Sequence, residues 1–298
     1  MANSNPKVSV IIPVLNNRKE LIETLKVLHH QTYPFDLIEI IVVDNGSNEP
    51  LEPLLDNFSF ILVREVVHKS PYAARNSGLK IATGSVIAMT DANKSPSKQW
   101  IMEGIKALES EDADLVGGHI TFVLPETYSA SERFDSLFFN NNRNLVLKRR
   151  ASVTGNLFFK KEIIDNLGYF PGQFRSGMDV WWTQRAVRRG FKLVFSEKAV
   201  VTCRPRRFVD LMRKSFRVGI SHPMIFKGDG YSKLQISDQI LRTFSPPKFR
   251  WIQEKELQEE SFWFRLKIWT VAWSYKILMG FGRIRGVSFL SRDTYPKT

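Results

Sequence analysis

The chain has 298 residues and is 43% hydrophobic, so it is long enough to bury a sizeable core as one large domain or two. Its N-terminus is polar and its first apolar run, Val8 to Val14, is short, which predicts neither a signal peptide nor a membrane-spanning start. A single cysteine, Cys203, excludes an intramolecular disulfide framework and favours a reducing compartment. We therefore expect a cytoplasmic protein.

The net charge of +13 is unevenly distributed along the chain. Residues 204–298 hold 19 Lys and Arg against 8 Asp and Glu, whereas residues 1–203 hold 24 against 22. This asymmetry predicts a near-neutral domain over residues 1–205 and a basic C-terminal extension over residues 206–298, with separate roles.

Strand and helix patterns alternate through the first 122 residues. Alternation at this rhythm predicts βαβ units and a mostly parallel sheet flanked by helices. Beyond residue 122 the pattern loosens, although a helix is predicted to start near Met178 and to stop at Gly190. The predicted strands span 8–14, 37–47, 58–67, 85–90 and 113–122, and the predicted helices span 18–31, 72–83 and 98–109.

Polar residues follow three of these predicted strands at the point where each one ends. The carboxyl ends of parallel strands share one edge of a sheet, and ligands of such sheets bind outside that edge. Taken singly, each residue has an ordinary interpretation as a turn former or an exposed charge. Together on one edge they favour a ligand site. They are Pro13 and Asn17 after the first strand, Asp44 and Ser47 after the second, and Asp91 and Asn93 after the fourth.

Five segments carry a resemblance to a known family. In this order and spacing, "VSVIIPVLNN", "EIIVVDNGS", "AARNSGLKIATGSVIAMTDAN", "TGNLFFKKEIIDNLGYF" and "GMDVWWTQRAVRRG" resemble family 2 glycosyltransferases of the GT-A fold. Each motif alone is weak evidence, but five in register over roughly residues 7–205 make a specific match. The resemblance implies an α/β, Rossmann-like GT-A domain that binds a nucleoside-diphosphate sugar.

The resemblance also assigns roles to residues. On the donor side it implies that the nucleoside is held by Pro13, Asn17, Asp44 and Arg75, with Asp44 facing the base, and that Asp91 and Asn93 lie at the ribose and diphosphate. We also place Ser47, which follows the same strand as Asp44, on the donor side. On the acceptor side it implies Gly155 and Asn156. We also place Trp181 on the acceptor side, with a position in the core or pocket wall as the alternative. Asp179 matches the family's catalytic base, although Met178 precedes it where Glu is usual.

These residue types suit an inverting sugar transfer. That reaction needs a carboxylate to take the proton of the acceptor hydroxyl, and positive charge to stabilise the departing diphosphate. A carboxylate at the start of a helix faces the positive end of the helix dipole, which keeps it ionised. The alternative is that Asp179 is an ordinary acid at a helix N-terminus.

The metal-binding pattern of the family is incomplete here. Asn93 stands where the family has its second, metal-ligating Asp, and Cys203 stands where a His is often found. An amide oxygen can bind Mn²⁺ or Mg²⁺, but it contributes no charge to the site. We therefore expect weak, donor-dependent metal binding through Asp91 and Asn93. Lys94, or an arginine within 204–207, is an alternative source of positive charge for the diphosphate.

The basic extension contains a long aromatic stretch, residues 262–281. Arg265, Lys267 and Lys276 interrupt it, which argues against a membrane-spanning helix. Trp and Phe beside Lys and Arg are typical of a helix that lies in a membrane interface. The alternative, equally open, is that the stretch packs on the catalytic domain or on a second subunit. The Gln-x-x-Arg-Trp motif of processive polysaccharide synthases is missing from the sequence.

We therefore predict an inverting hexosyltransferase that acts on a glycan or lipid-linked hydroxyl in polysaccharide biosynthesis, at the cytoplasmic membrane face. A sugar nucleotidyltransferase is the first alternative, but "PVLNNRKE" has no glycine for a phosphate loop. A catalytically impaired nucleotide-sugar-binding protein is the second. We expect no nucleic acid partner, because the basic extension carries no nucleic-acid-binding motif.

Overall fold

The computed structural model of the protein describes residues 5–138, 142–250 and 257–290. The strands are β1 (Val8–Val14), β2 (Ile38–Asp44), β3 (Ile61–Arg64), β4 (Val86–Thr90), β5 (Lys94–Pro96), β6 (Leu115–Phe122), β7 (Asn156–Lys160) and β8 (Leu193–Cys203). The helices are α1 (Arg18–Leu28), α2 (Pro71–Ile81), α3 (Trp100–Ser110), α4 (Ala130–Phe138), α5 (Asn142–Arg149), α6 (Ile163–Leu167), α7 (Met178–Arg188), α8 (Phe208–Gly228), α9 (Lys233–Phe244) and α10 (Phe262–Val287).

The strands form one mixed sheet in the order β3-β2-β1-β4-β7-β6-β8-β5. β1 lies between β2 and β4 and is parallel to both. The carboxyl ends of β2, β1 and β4 therefore meet along one edge, as the sequence predicted for a parallel arrangement. The α/β fold class is confirmed.

Burial on both faces explains why β1 and β2 are continuous apolar runs. Every residue of β1 is buried, and so is all of β2 apart from the half-buried Glu39. Strands covered by helices on both sides lack the alternating polar residues of a half-exposed strand. Helix α1 buries Leu21, Leu25 and Leu28 completely, at the spacing that places them on one helix face.

Two strands run against the parallel arrangement. β7 is antiparallel to both of its neighbours, β4 and β6, and the short edge strand β5 is antiparallel to β8. Strand direction depends on how the chain connects consecutive strands, and the apolar pattern within a strand carries no such information. The sequence predicted β1, β2, β3, β4 and β6, but it predicted neither β5 nor the reversed direction of β7.

The chain divides into two compact units. Unit 1 comprises Met1–Phe122 and Asn140–Arg204, and unit 2 comprises Val123–Phe139 and Pro205–Thr298. The sequence placed residues 123–139 in the first domain. Within unit 2, helix α4 contributes the buried Phe134 to the apolar core that also contains Tyr275 of α10. The carboxylate of Asp135, fully buried, accepts a hydrogen bond from the backbone N–H of Arg206 at 2.7 Å.

Helices α8 and α10 of unit 2 approach each other closely at glycines. A Cβ at Gly219 would lie 2.3 Å from the carbonyl oxygen of Met279, and a Cβ at Gly282 would lie 2.2 Å from that of Phe216. Real side chains do not tolerate such distances, so the two backbones meet where only glycine fits.

Among the described residues, no helix combines the length and apolar character that crossing a membrane requires.

Candidate active site

Asp44 occupies the carboxyl end of β2 and fixes the turn that follows. Its buried carboxylate accepts a hydrogen bond from the backbone N–H of Ser47 at 2.9 Å. The Ser47 hydroxyl accepts one from the backbone N–H of Asn16 at 3.0 Å, which connects this turn to the loop after β1. Pro13 lies within β1, beside Val43 of β2. Pro13, Asp44 and Ser47 therefore lie at adjoining strand ends, whereas Asn17 precedes α1 and Arg75 lies on α2.

Asp91 follows β4 directly and lies between two cations. Its Oδ1 is 2.5 Å from a guanidinium nitrogen of Arg75, and its Oδ2 is 3.2 Å from Nζ of Lys94. The side chains of Arg75 and Lys94 are only 5% and 4% exposed, whereas that of Asp91 is 31% exposed. Two buried cations thus share one carboxylate at the predicted diphosphate position.

Gly155 lies directly against this cluster. A Cβ built on Gly155 would lie 2.4 Å from Cε of Lys94 and 3.0 Å from Oδ2 of Asp91. Any side chain at this position would displace the lysine or the carboxylate. The segment before β7 therefore approaches the two charges closely because residue 155 is glycine.

Asp179 lies in the first turn of α7, which begins after Gly177 in the left-handed conformation at φ 81°. Its Oδ1 accepts a hydrogen bond from the hydroxyl of Tyr72 at 2.9 Å, and its Oδ2 accepts one from the backbone N–H of Thr154 at 3.3 Å. Burial and the neighbouring Asp179 carboxylate raise the pKa of Tyr72 well above its usual value. Tyr72 therefore stays a neutral phenol that can donate to the carboxylate.

The same two segments hold both carboxylates. Tyr72 and Arg75 are three residues apart on α2, which places them on one helix face, and they contact Asp179 and Asp91 respectively. In the segment before β7, the backbone of Thr154 contacts Asp179, and Gly155 lies against Asp91. Sequence reasoning missed Tyr72, although its spacing from Arg75 in "YAAR" was a usable signal.

Asn156 and Trp181, predicted on the acceptor side, occupy different environments. Asn156 is fully buried, and its side chain bonds to Trp100 Nε1 and to the backbone carbonyls of His119 and Ala199, each at 2.8 Å. A fully buried amide presents no atom to an acceptor, so the position of Asn156 is structural. Trp181 is half-buried, and the guanidinium of Arg185 lies 5.4 Å from its ring centroid.

The residues at Asp91 do not form a carboxylate clamp for a divalent ion. Asn93 is exposed, and the next residue, Lys94, places an ammonium on Asp91 where a second anionic ligand would be needed. Cys203 is buried, and its backbone lies opposite that of Lys94 in the antiparallel pair of β8 and β5. Within residues 5–138, 142–250 and 257–290, no three His, Cys, Asp or Glu side chains cluster as a metal site. The donor set present does not fit Mn²⁺ or Mg²⁺.

The fold and the two carboxylates define a GT-A type glycosyltransferase, and comparison with known proteins gives the family. Residues 9–168 match the sequence model of the family "Glycosyl transferase family 2". Glycosyltransferase AglE from Haloferax volcanii is 36% identical over 225 residues, which cover 74% of this chain and 74% of that protein. The chain belongs to glycosyltransferase family 2 and is a glycosyltransferase.

Two solved structures resemble the fold at low identity. One is the mannosyltransferase PcManGT from Pyrobaculum calidifontis in complex with GDP-Man and Mn²⁺. It superimposes with a TM-score of 0.64 at 18% sequence identity, and the alignment covers 95% of this chain and 88% of the PcManGT chain. TarS 1–349 from S. aureus, in complex with UDP-GlcNAc, gives a TM-score of 0.55 at 18% identity, covering 92% and 90%. Both likenesses support the GT-A fold.

Proposed function

We propose that this enzyme transfers one sugar from a nucleoside-diphosphate sugar to an acceptor hydroxyl, with inversion at the anomeric carbon. One observation carries the proposal. Asp91, paired with two cations, and Asp179, hydrogen-bonded to neutral donors, are held by the same two segments of the chain. An electropositive group for a leaving anion and a carboxylate base are the two parts that this reaction requires.

In the proposed reaction, the acceptor oxygen attacks the anomeric carbon while Asp179 takes the hydroxyl proton. The new carbon–oxygen bond forms as the bond between the sugar and the diphosphate breaks, and the nucleoside diphosphate leaves with the electron pair. The hydrogen bonds from Tyr72 and Thr154 orient the Asp179 carboxylate. The charges of Arg75 and Lys94 stabilise the departing diphosphate.

The donor class is supported from two sides. Asp44, at the end of β2, accepts a hydrogen bond from a backbone N–H through Oδ1. The other oxygen of the same carboxylate, Oδ2, can accept a hydrogen bond from an N–H group of a nucleobase. The two solved structures of similar fold contain GDP-Man and UDP-GlcNAc, which are both nucleoside-diphosphate sugars.

A nucleotide-sugar panel followed by one substitution tests the function. Thermal shift identifies a stabilising donor, and Asp179→Asn is then expected to reduce kcat by about 10²–10⁴-fold while donor affinity stays near wild type. Asp210→Asn is the matched control, because Asp210 is also an acid in the first turn of a helix. Full transfer activity in Asp179→Asn would remove that residue from the mechanism.

We also propose that α10 attaches the enzyme to an anionic membrane surface, where a lipid-linked acceptor would be found. Trp263, Lys267, Phe281 and Ile284 are exposed and recur at helical spacing on one side of α10. Aromatic and aliphatic side chains beside basic ones suit the boundary between headgroups and acyl chains.

Liposome co-sedimentation with full-length variants tests this attachment. Trp263→Glu and Phe281→Glu are expected to reduce pelleting with vesicles that contain phosphatidylglycerol, compared with the wild type. Val67→Glu is the control, because Val67 is apolar and 79% exposed but lies in unit 1. Wild-type pelleting by the α10 variants would instead favour a packing role for that face.

A further inference from the structure

We infer that Lys94 takes the place of a bound divalent cation at the diphosphate, so that donor binding in this enzyme does not require a metal. The inference rests on the proposed function, because it concerns the donor site of that reaction. It departs from the donor-dependent metal binding that the sequence predicted.

The position of Lys94 carries the first step. Its backbone N–H donates to the carbonyl of Asp91 at 3.0 Å, and its side chain returns to place Nζ 3.2 Å from Oδ2 of the same residue. The other carboxylate oxygen is 2.5 Å from the guanidinium of Arg75. Both oxygens that a metal would use at Asp91 therefore already contact a cation of the protein.

The charge balance carries the second step. Among the described residues, Arg75 and Lys94 form ion pairs with Asp91 and with no other carboxylate, so this group of three residues carries one net positive charge. Burying an uncompensated cation is strongly unfavourable. One cation would suffice to neutralise Asp91, so a purely structural role does not account for the second. An anionic ligand such as a diphosphate would balance it, whereas a divalent cation would add to the excess.

The rigidity of Lys94 carries the third step. Its backbone lies in β5, paired with Cys203 of β8, and its carbonyl accepts a hydrogen bond from the hydroxyl of Thr24 at 2.8 Å. Gly155 lies against the side-chain carbons. A charge held in place before the reaction stabilises a leaving group without reorganisation, as a bound metal ion does.

Isothermal titration of the full-length protein with UDP, GDP, ADP, CDP and dTDP, each in excess EDTA and in Mn²⁺, tests the inference. We expect the nucleotide that binds to do so with the same Kd, within about twofold, under both conditions. Binding at least tenfold tighter in Mn²⁺ would overturn the inference and leave the proposed function intact. The absence of binding by any nucleotide under both conditions would overturn the proposed function as well.

Two variants show whether Lys94 is the group responsible. In EDTA, Lys94→Met is expected to weaken binding of the diphosphate at least tenfold and binding of the matching nucleoside much less. Lys98→Met is the control, since Lys98 is an exposed lysine four residues away. A folded Lys94→Met protein that binds the diphosphate as tightly as wild type would reduce Lys94 to a structural partner of Asp91. Should Lys94→Met fail to fold, the wild-type comparison decides alone.

Discussion

The hydroxyl of Tyr72 is the contact by which α2 positions the proposed base, and Tyr72→Phe removes it with little change in side-chain volume. The hydroxyl donates to Asp179 Oδ1 at 2.9 Å and accepts from the backbone N–H groups of Met178 and Asp179 at 3.1 and 3.3 Å. Met178 is buried, so its N–H would have no solvent to replace the lost acceptor. The substitution therefore affects both the carboxylate and the start of α7.

These contacts give the expected magnitudes. A hydrogen bond to a charged group contributes about 1.5–3 kcal/mol, and an unsatisfied buried N–H costs about 1–3 kcal/mol. We expect Tyr72→Phe to lower the free energy of unfolding by about 2–4 kcal/mol, allowing for partial relaxation of the helix start. A carboxylate displaced by about 1 Å loses about a hundredfold in rate, so kcat should fall by roughly 10–100-fold.

Chemical denaturation and steady-state kinetics on the same preparations measure both effects. Tyr33→Phe is the matched control. The buried Tyr33 donates a hydrogen bond to the carbonyl of Pro6 at 2.5 Å and contacts neither Asp91 nor Asp179. That variant should lose about 0.5–1.5 kcal/mol of stability and no activity. In Tyr72→Phe, kcat should fall while the donor Kd stays unchanged.

A double-mutant cycle decides whether Tyr72 acts through Asp179. In an Asp179→Asn background, Tyr72→Phe should reduce kcat by much less than it does in the wild type, because the two residues act as one unit. Additive losses, or a Tyr72→Phe protein that loses stability and retains its full kcat, would refute the positioning role.

Two further predictions concern packing and pH. Gly282→Ala should lower the melting temperature. A Cβ at 2.2 Å from the Phe216 carbonyl oxygen costs about 1–3 kcal/mol or more, which exceeds the gain of about 1 kcal/mol in helix propensity. An unchanged or higher melting temperature would contradict the close approach of the two helices. Burial raises the pKa of the Glu39 carboxyl, but hydrogen bonds from Ser9 and Thr83 and the charge of Lys7 together outweigh burial, so the pKa is lowered. Its ionised form therefore stabilises the fold above the unfolded pKa of about 4.3, and this stability is lost as the pH falls through the lower folded value. Urea denaturation of wild type and Glu39→Gln should show a stability gap at pH 7 that shrinks towards pH 3, and a constant gap would contradict the linkage.

Local patterns predicted the first half of the sheet well. The apolar runs of β1 and β2 indicated buried strands, and the polar residues after them indicated a ligand edge. Arg75 and Asp91 were both predicted on the donor side, and their side chains form an ion pair. These features depend on residues near in sequence, or on the rule that parallel strand ends meet.

Features that depend on distant contacts escaped sequence reasoning. The reversal of β7 depends on chain connections, and the burial of Asn156 depends on carbonyls 37 and 43 residues away. Tyr72 reads as an ordinary helix residue until Asp179, 107 residues later, supplies its partner. Lys94 was recognised as a possible charge for the diphosphate, but its pairing with Asp91 and its burial required the structure.

The division of unit 2 into two stretches of chain has a consequence for biosynthesis. Helix α4 ends at Phe138, whereas α10, which covers Phe134 in the core of unit 2, is complete only at Val287. At about 5–20 residues per second, a ribosome needs roughly 7–30 s to make the intervening chain. During that interval Leu211 and Met212 of α8 become available to the apolar face of α4, but the part of its native cover that α10 supplies is still missing. The packing of Phe134 is therefore completed only after nearly the whole chain has been made.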